Sequence, residues 1–291
     1  MSTTDMSTAE PIGLLRPSWS APPHIRAAFS LRSGGVSLAP WASLNLGRHV
    51  GDEANAVQEN RSRLASALRL PSEPVWLEQV HGTTVWRLVA PTSLVTESTA
   101  AAPPPRADAI VVERPRAVAA IMVADCLPVL FCDRAGSVVA AAHAGWRGLV
   151  AGVLEQTVAA MGVPPAHLLA WMGPAIGPSW FEVGPEVRHA FLAASADSKA
   201  PAAGRAIEVN FRRGPGDRWM CDLGGLARQR LQALGIGEIT GAEWCTASDP
   251  ARFFSHRRDA SRTGRMAAVI WMEHAAAEFR SPPRASIDVR L

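Results

Sequence analysis

Residues 117–150, AVAAIMVADCLPVLFCDRAGSVVAAAHAGWRGLV, constrain the fold more than any other part of the sequence. They read as a strand, a sharp stop at Ala124-Asp125-Cys126, a second strand, a turn at Asp133-Arg134-Ala135-Gly136, a third strand, and His143-Ala144-Gly145-Trp146-Arg147-Gly148 opening a helix. The runs 127–132 and 137–142 are apolar and separated by one four-residue turn signal, which predicts an antiparallel hairpin. If Asp133 pairs with Gly136 around a two-residue loop, Cys126 and His143 stand opposite each other. Their Cβ atoms would then be about 5 Å apart, a gap that a metal bonded at about 2.3 Å to sulfur and 2.0 Å to nitrogen spans. A three-residue loop with a bulge at Gly136 is the competing register; it turns His143 to the other face. A metal site also needs a third ligand, and His81, at the end of Pro74-Val75-Trp76-Leu77-Glu78-Gln79-Val80-His81-Gly82, is the candidate.

A chain of 291 residues with 48% hydrophobic content buries a sizeable core, and one large domain over residues 24–278 is expected. Residues 1–23 are polar and then Pro-rich; they read as a loose tail rather than a secretory signal, and residues 279–291 as a second tail. No run approaches eighteen apolar residues, so no membrane partner is expected. Four cysteines point to reduced thiols and a cytoplasmic location. The net charge of +3 is only mildly basic, giving no sign of a nucleic-acid partner. Lys199 is the sole lysine, which removes a lysine nucleophile from most of the chain. A monomer or weak homodimer is expected.

Outside the central stretch, His24 to Ser30 reads as a strand and Asp52 to Leu70 as an amphipathic helix stopped by Pro71. Residues 74–81 and 83–89 read as a strand and its return, and 90–107 as an exposed Ala/Pro loop. A helix runs from Trp146 to Met161, capped by Gly162. A strand follows at 168–172, a helix at 185–194 and a low-information insertion at 195–204. A last helix covers 222–234, and 267–272 is an apolar strand. Arg147, on the first helical turn after His143, is a candidate for holding an anion beside the metal. So are Arg32, beside the Gly34-Gly35 turn, and the packed pair Arg257-Arg258, in a C-terminal stretch running through Gly264-Arg265-Met266 whose packed arginines suit a phosphate or carboxylate. Asp125, next to a ligand, is the candidate proton donor, and Glu182 is a further acid or base candidate.

ADCLPVLF at 124–131, HAGWRG at 143–148, QVHG at 79–82, LRSGGVS at 31–37, LNLG at 44–47, and FFSHRRD followed by TGRMA together resemble the bacterial laccase-domain family. That family is also called multicopper polyphenol oxidase-like; it includes purine nucleoside phosphorylases with adenosine deaminase activity and the peptidoglycan editing factor. The resemblance covers about residues 25–272. It implies an α+β fold, a layered sandwich of mixed β-sheets with flanking helices, and one zinc held by His81, Cys126 and His143. It further implies phosphorolysis of adenosine, inosine and methylthioadenosine, and deamination of adenosine; purine nucleosides and phosphate would be its partners. One departure is His256, where the family usually has tyrosine before the paired arginines; this chain has no tyrosine at all.

Eight scattered histidines with no His-X-His pair serve one metal and not a multinuclear copper centre. Copper at the same three ligands would therefore give only incidental oxidase chemistry. Two other classes fit the same residues. Cys126 and His143 would make a thiolate/imidazolium pair in a cysteine hydrolase, including one acting on cell-wall precursors. A zinc without catalytic function would merely brace the fold.

Overall fold

The computed structural model describes residues 10–88, 103–196, 207–260 and 262–273. Most of the 90–107 loop, nearly all of the 195–204 insertion and the 279–291 tail lie outside them, as do residues 1–9 of the N-terminal tail. Within that tail, Leu14–Leu15 (β1) pairs with Ser30 and Phe29 and so joins the fold.

The described residues form three sheets and six helices in one α+β domain. The first sheet has the order β1, β2 (Ile25–Ser30), β13 (Met266–Met272), β5 (Val118–Val123). The second is β12 (Glu238–Gly241), β8 (Leu168–Met172), β6 (Leu127–Asp133), β7 (Val139–Ala144), β4 (Ala109–Val112), β3 (Val85–Leu88). A small third sheet joins β9 (Glu182–Val183), β11 (Trp219–Cys221) and β10 (Phe211–Arg213).

Alternation along the strands assigns the layers. Ala119, Ile121 and Val123 of β5 pack with Ile110, Leu130, Ala141 and Trp171 of the second sheet, making the core between the two sheets. Val118 and Ala120 face the other way, onto Leu64 and Leu68 of α1 (Ala54–Leu68). The far face of the second sheet, including Val129, Phe131 and Ala140, is covered by α3 (Val153–Met161), α4 (Pro185–Ala196) and α5 (Leu223–Ala233). Both sheets are thus buried on two faces, and this is why their central strands are continuous apolar runs without alternation to polar residues.

Three expectations change. The single helix over 146–161 is two, α2 (Trp146–Ala151) and α3, because Gly152 between them adopts φ 98°. Residues 74–81 are not a strand but make isolated bridges at Val75 and Glu78, and β3 runs parallel to β4. The β6–β7 register also matches neither expected loop: Asp133 N donates to Val138 O, and Pro128 stands opposite His143. The shift from the two-residue-loop register is two positions. Because side chains repeat every second residue, His143 stays on the face of Cys126.

Candidate metal centre

The donor cluster lies at the corner where the chain crosses from β5 of the first sheet to β6 of the second, through Ala124-Asp125-Cys126. His143 arrives on β7, the hairpin partner of β6. His81 comes from the 80–82 turn, with a left-handed φ of 61°. The possible ligand atoms of His81, Cys126 and His143 all lie within 4.8 Å of one another. Cys126 Sγ is 3.7 Å from His81 Nε2, close to the roughly 3.5 Å separation that tetrahedral zinc bonds of about 2.3 and 2.0 Å require. The two imidazoles meet edge to face, centroids 4.8 Å apart.

One residue organises both histidines. Asp108 directly precedes β4, and continuing the Ala109–Ala142 pairing brings it opposite His143. His143 N donates to Asp108 O at 2.7 Å, and Asp108 Oδ1 lies 2.8 Å from His143 Nδ1. The same carboxylate accepts from the backbone N–H groups of Val80, His81 and Gly82, fixing the turn that carries His81. With Nδ1 committed to Asp108, Nε2 is the nitrogen left for the cluster, an outer-shell arrangement found around zinc-bound histidines. Asp108 is fully buried. Burial alone would raise its pKa, but the His143 hydrogen bond and the backbone donors hold it below the ordinary aspartate value.

Electrostatics inside the cluster are those of a coupled pair. Burial pushes the Cys126 thiol up, yet the charge and hydrogen bond of His143, followed by those of His81, bring it down to about 6. For His143 burial acts downward, and the charge of Cys126 with the Asp108 hydrogen bond raises it to about 9. In the metal-free protein Cys126 is therefore expected to alkylate as a thiolate with a midpoint near pH 6, the rate climbing as pH rises through that value. Residue-resolved mass spectrometry of iodoacetamide labelling against pH checks this. The buried Cys132 and Cys221, pushed far up by desolvation, should stay unlabelled while the fold is intact. A Cys126 midpoint at the ordinary thiol value of about 8.5 would show that the pair does not form.

The residues present fit a metal ion. They provide two imidazoles and a thiolate, a soft nitrogen/sulfur set suited to zinc or copper. Gly145, the position opposite Cys126 when the hairpin register is continued, leaves the cradle open: a Cβ there would lie 2.9 Å from both Cys126 Sγ and His81 Cδ2.

The other candidate residues lie as follows. Asp125 is buried with φ 86°, and its carboxylate accepts from Thr246 Oγ1, Ser255 Oγ and Arg257 N, tying the C-terminal loops to the crossover. Arg147 is exposed, with its guanidinium over the Trp146 ring. Arg257 donates to Trp180 O and lies over Phe181. Arg258 is spent on Asp259 and on the carbonyls of Thr246, Ala247 and Phe253. Arg32 donates to Ala42 O and Pro250 O. Arg32 and Arg258 line one cavity of about 560 Å³ together with Arg262 and Asp259. Glu182 is exposed on β9.

Asp108 was not named from the sequence, and Arg265 was read only as one of the packed arginines of the C-terminal stretch, without a place beside the donor cluster. Asp108 was one position beyond the segment read as a featureless loop; an acid directly before an apolar strand was the available signal. Arg265 precedes β13, and burial lowers its pKa while the charges of Cys126 and Asp125 act to raise it.

Fold and site together define a class: a layered α+β protein with a His–Cys–His corner that can hold one metal ion. The chain belongs to the multi-copper polyphenol oxidoreductase laccase family, whose pattern matches residues 26–273. It is 52% identical over 259 residues to the purine nucleoside phosphorylase YfiH of Escherichia coli, covering 89% of this chain and 98% of that protein. A purine nucleoside phosphorylase of Mycobacterium bovis is 37% identical, covering 86% and 93%. Among solved structures, a Neisseria meningitidis protein superposes with a TM-score of 0.78 at 42% identity, covering 90% of this chain and 99% of that one. YlmD of Geobacillus stearothermophilus superposes with 0.79 at 32% identity, covering 90% and 97%.

Proposed function

We propose that the protein is a zinc-dependent purine nucleoside phosphorylase, acting on adenosine, inosine and methylthioadenosine, that also deaminates adenosine. The observation carrying this reading is the convergence of His81, Cys126 and His143, with Asp108 fixing the histidines, in a chain whose relatives are named for phosphorolysis. A zinc ion held by His81, Cys126 and His143 would supply Lewis-acid charge and acidify water; copper at the same donors would be incidental.

In phosphorolysis a phosphate oxygen bonds to C1′ of the ribose as the C1′–N bond breaks, and the purine leaves with the electron pair and is protonated. The protein's task is to hold phosphate in line and to stabilise its charge. Of the four arginines named from the sequence, Arg147 and Arg257 keep donors for this purpose. Arg32 and Arg258 spend most of theirs on main-chain carbonyls, so their contribution is to shape the surrounding loops and the cavity between them. Asp125 accepts from three donors and in this reading positions the crossover. Deamination adds water at C6 of adenosine and expels ammonia as the C6–N bond breaks, leaving inosine, and needs no phosphate.

The purified, metal-quantified protein should convert adenosine and phosphate to adenine and ribose 1-phosphate. Inosine should still form when phosphate is left out. Base release that is equally fast without phosphate would overturn the phosphorylase reading.

A second reading is favoured by one arrangement, the Cys126–His143–Asp108 line, which also suits a cysteine hydrolase. The metal-dependence experiment that opens the Discussion separates the two.

A further inference from the structure

We propose that Arg265 is an anion-binding residue of the His81–Cys126–His143 site, holding the phosphate co-substrate; the assignment of phosphate rests on the reaction proposed above. Strand register places it there. Met266 of β13 pairs with Val123 of β5, so Arg265 falls opposite Ala124, at the start of the crossover that carries Cys126. The anionic groups acting on its guanidinium are Cys126 and Asp125.

The side chain is fixed, and only part of its donor set is spent. Its backbone N donates to Asn45 Oδ1, and Leu46 N donates to its carbonyl. Gly47 gives its stem room, since a Cβ there would lie 2.7 Å from Arg265 Cγ. The LNLG turn thus acts as a clamp on the arginine of TGRMA, two motifs that the metal centre itself leaves unused. Arg265 NH1 donates to Thr263 O and Gly264 O. Its Nε and NH2 make no hydrogen bond among the described residues, although Asp125 is close enough to act on it electrostatically. Asp125 already accepts from Thr246, Ser255 and the Arg257 backbone and makes no hydrogen bond to Arg265 among the described residues. In this partly buried residue the Nε/NH2 edge is left for a ligand, and it is the edge that binds two phosphate oxygens in parallel. Phosphate gripped there would lie beside the donor cluster, where the reaction needs it.

The test compares the wild-type protein with Arg265→Gln and Arg265→Lys, measuring metal content, KM for phosphate and for adenosine, and calorimetric binding of inorganic phosphate without nucleoside. The Gln variant is expected to keep its metal and its adenosine KM while KM for phosphate rises roughly 10- to 100-fold, the loss of a charge-assisted hydrogen bond. The Lys variant keeps the stem and the charge but not the fork, so an intermediate loss is expected; it carries the test alone if the Gln variant does not fold. An unchanged KM for phosphate overturns the assignment. If the wild-type protein releases no base with phosphate, the proposed reaction fails and calorimetry decides Arg265 separately. Phosphate binding that the substitution abolishes upholds the anion site, and equal or absent binding in both proteins overturns it.

Discussion

The Cys126→Ala protein is expected to emerge from purification without its metal ion and with base release from nucleosides lowered by about a thousandfold or more. Several kcal/mol of transition-state charge stabilisation disappear with a Lewis acid, and each 1.36 kcal/mol is about tenfold in rate. The expectation follows from donor count: without Sγ only two imidazoles remain, one exposed and one buried, and two neutral nitrogens do not retain zinc as three donors including a thiolate do. Elemental analysis beside the nucleoside assay measures both effects. The same experiment on chelated wild-type protein separates metal chemistry from thiol catalysis, because a cysteine hydrolase needs Cys126 but not the ion. Full metal occupancy in the Cys126→Ala protein, or full activity after chelation, would sink the metal-based reading.

Asp108→Asn is expected to be the most destabilising single-atom exchange near the site. Both carboxylate oxygens act as acceptors: Oδ2 takes Val80 N and Gly82 N, and Oδ1 takes His81 N and faces His143 Nδ1. Asparagine offers one oxygen and one NH2, so either orientation sets a donor against backbone donors in a fully buried position. Breaking a buried charged network in this way costs about 3–5 kcal/mol, and loss of an outer-shell carboxylate weakens metal affinity about 10–100-fold. Denaturant unfolding and competitive metal titration read the two effects. The sign of the pH dependence follows from the depressed Asp108 pKa. A carboxylate held below its unfolded value contributes stability that is fully present above that value and fades as pH falls through the folded one. The wild-type advantage over Asp108→Asn should therefore shrink in acid. An Asn variant as stable as wild type at neutral pH would show that Asp108 does not hold the site together.

What could be read from the sequence depended on how local the deciding physics was. The strands 118–123, 127–133 and 139–144 were legible because burial on both faces leaves an uninterrupted apolar run. The parallel pairing of β3 with β4 was not, since nothing in either segment specifies a neighbour. Cys126 and His143 announced themselves by bracketing a hairpin, and their shared face survived a misread register because the error was an even number of residues. His81 became a candidate through its motif and the need for a third ligand, not through its own surroundings. Asp108 escaped, and Arg265 was legible only as one of several packed arginines, because each takes its place from a strand register: one opposite His143 across β4–β7, the other opposite Ala124 across β5–β13. At Asp125 the adjacency to a donor was legible, but not that its oxygens accept from residues 121 to 132 positions later in the chain.

The crossover Ala124-Asp125-Cys126 gives the centre a mechanical meaning as well. It is a three-residue span with one sheet on each side, and it carries the thiolate, while His143 belongs to the second sheet and His81 to a turn outside both. An ion shared by these donors is a rivet through the seam between the layers. By mass action, a ligand present at a thousand times its dissociation constant adds about 4 kcal/mol to the folded state. Metal supply and resistance to unfolding then become one variable, and a cell short of the ion would hold a looser sandwich as well as an idle catalyst.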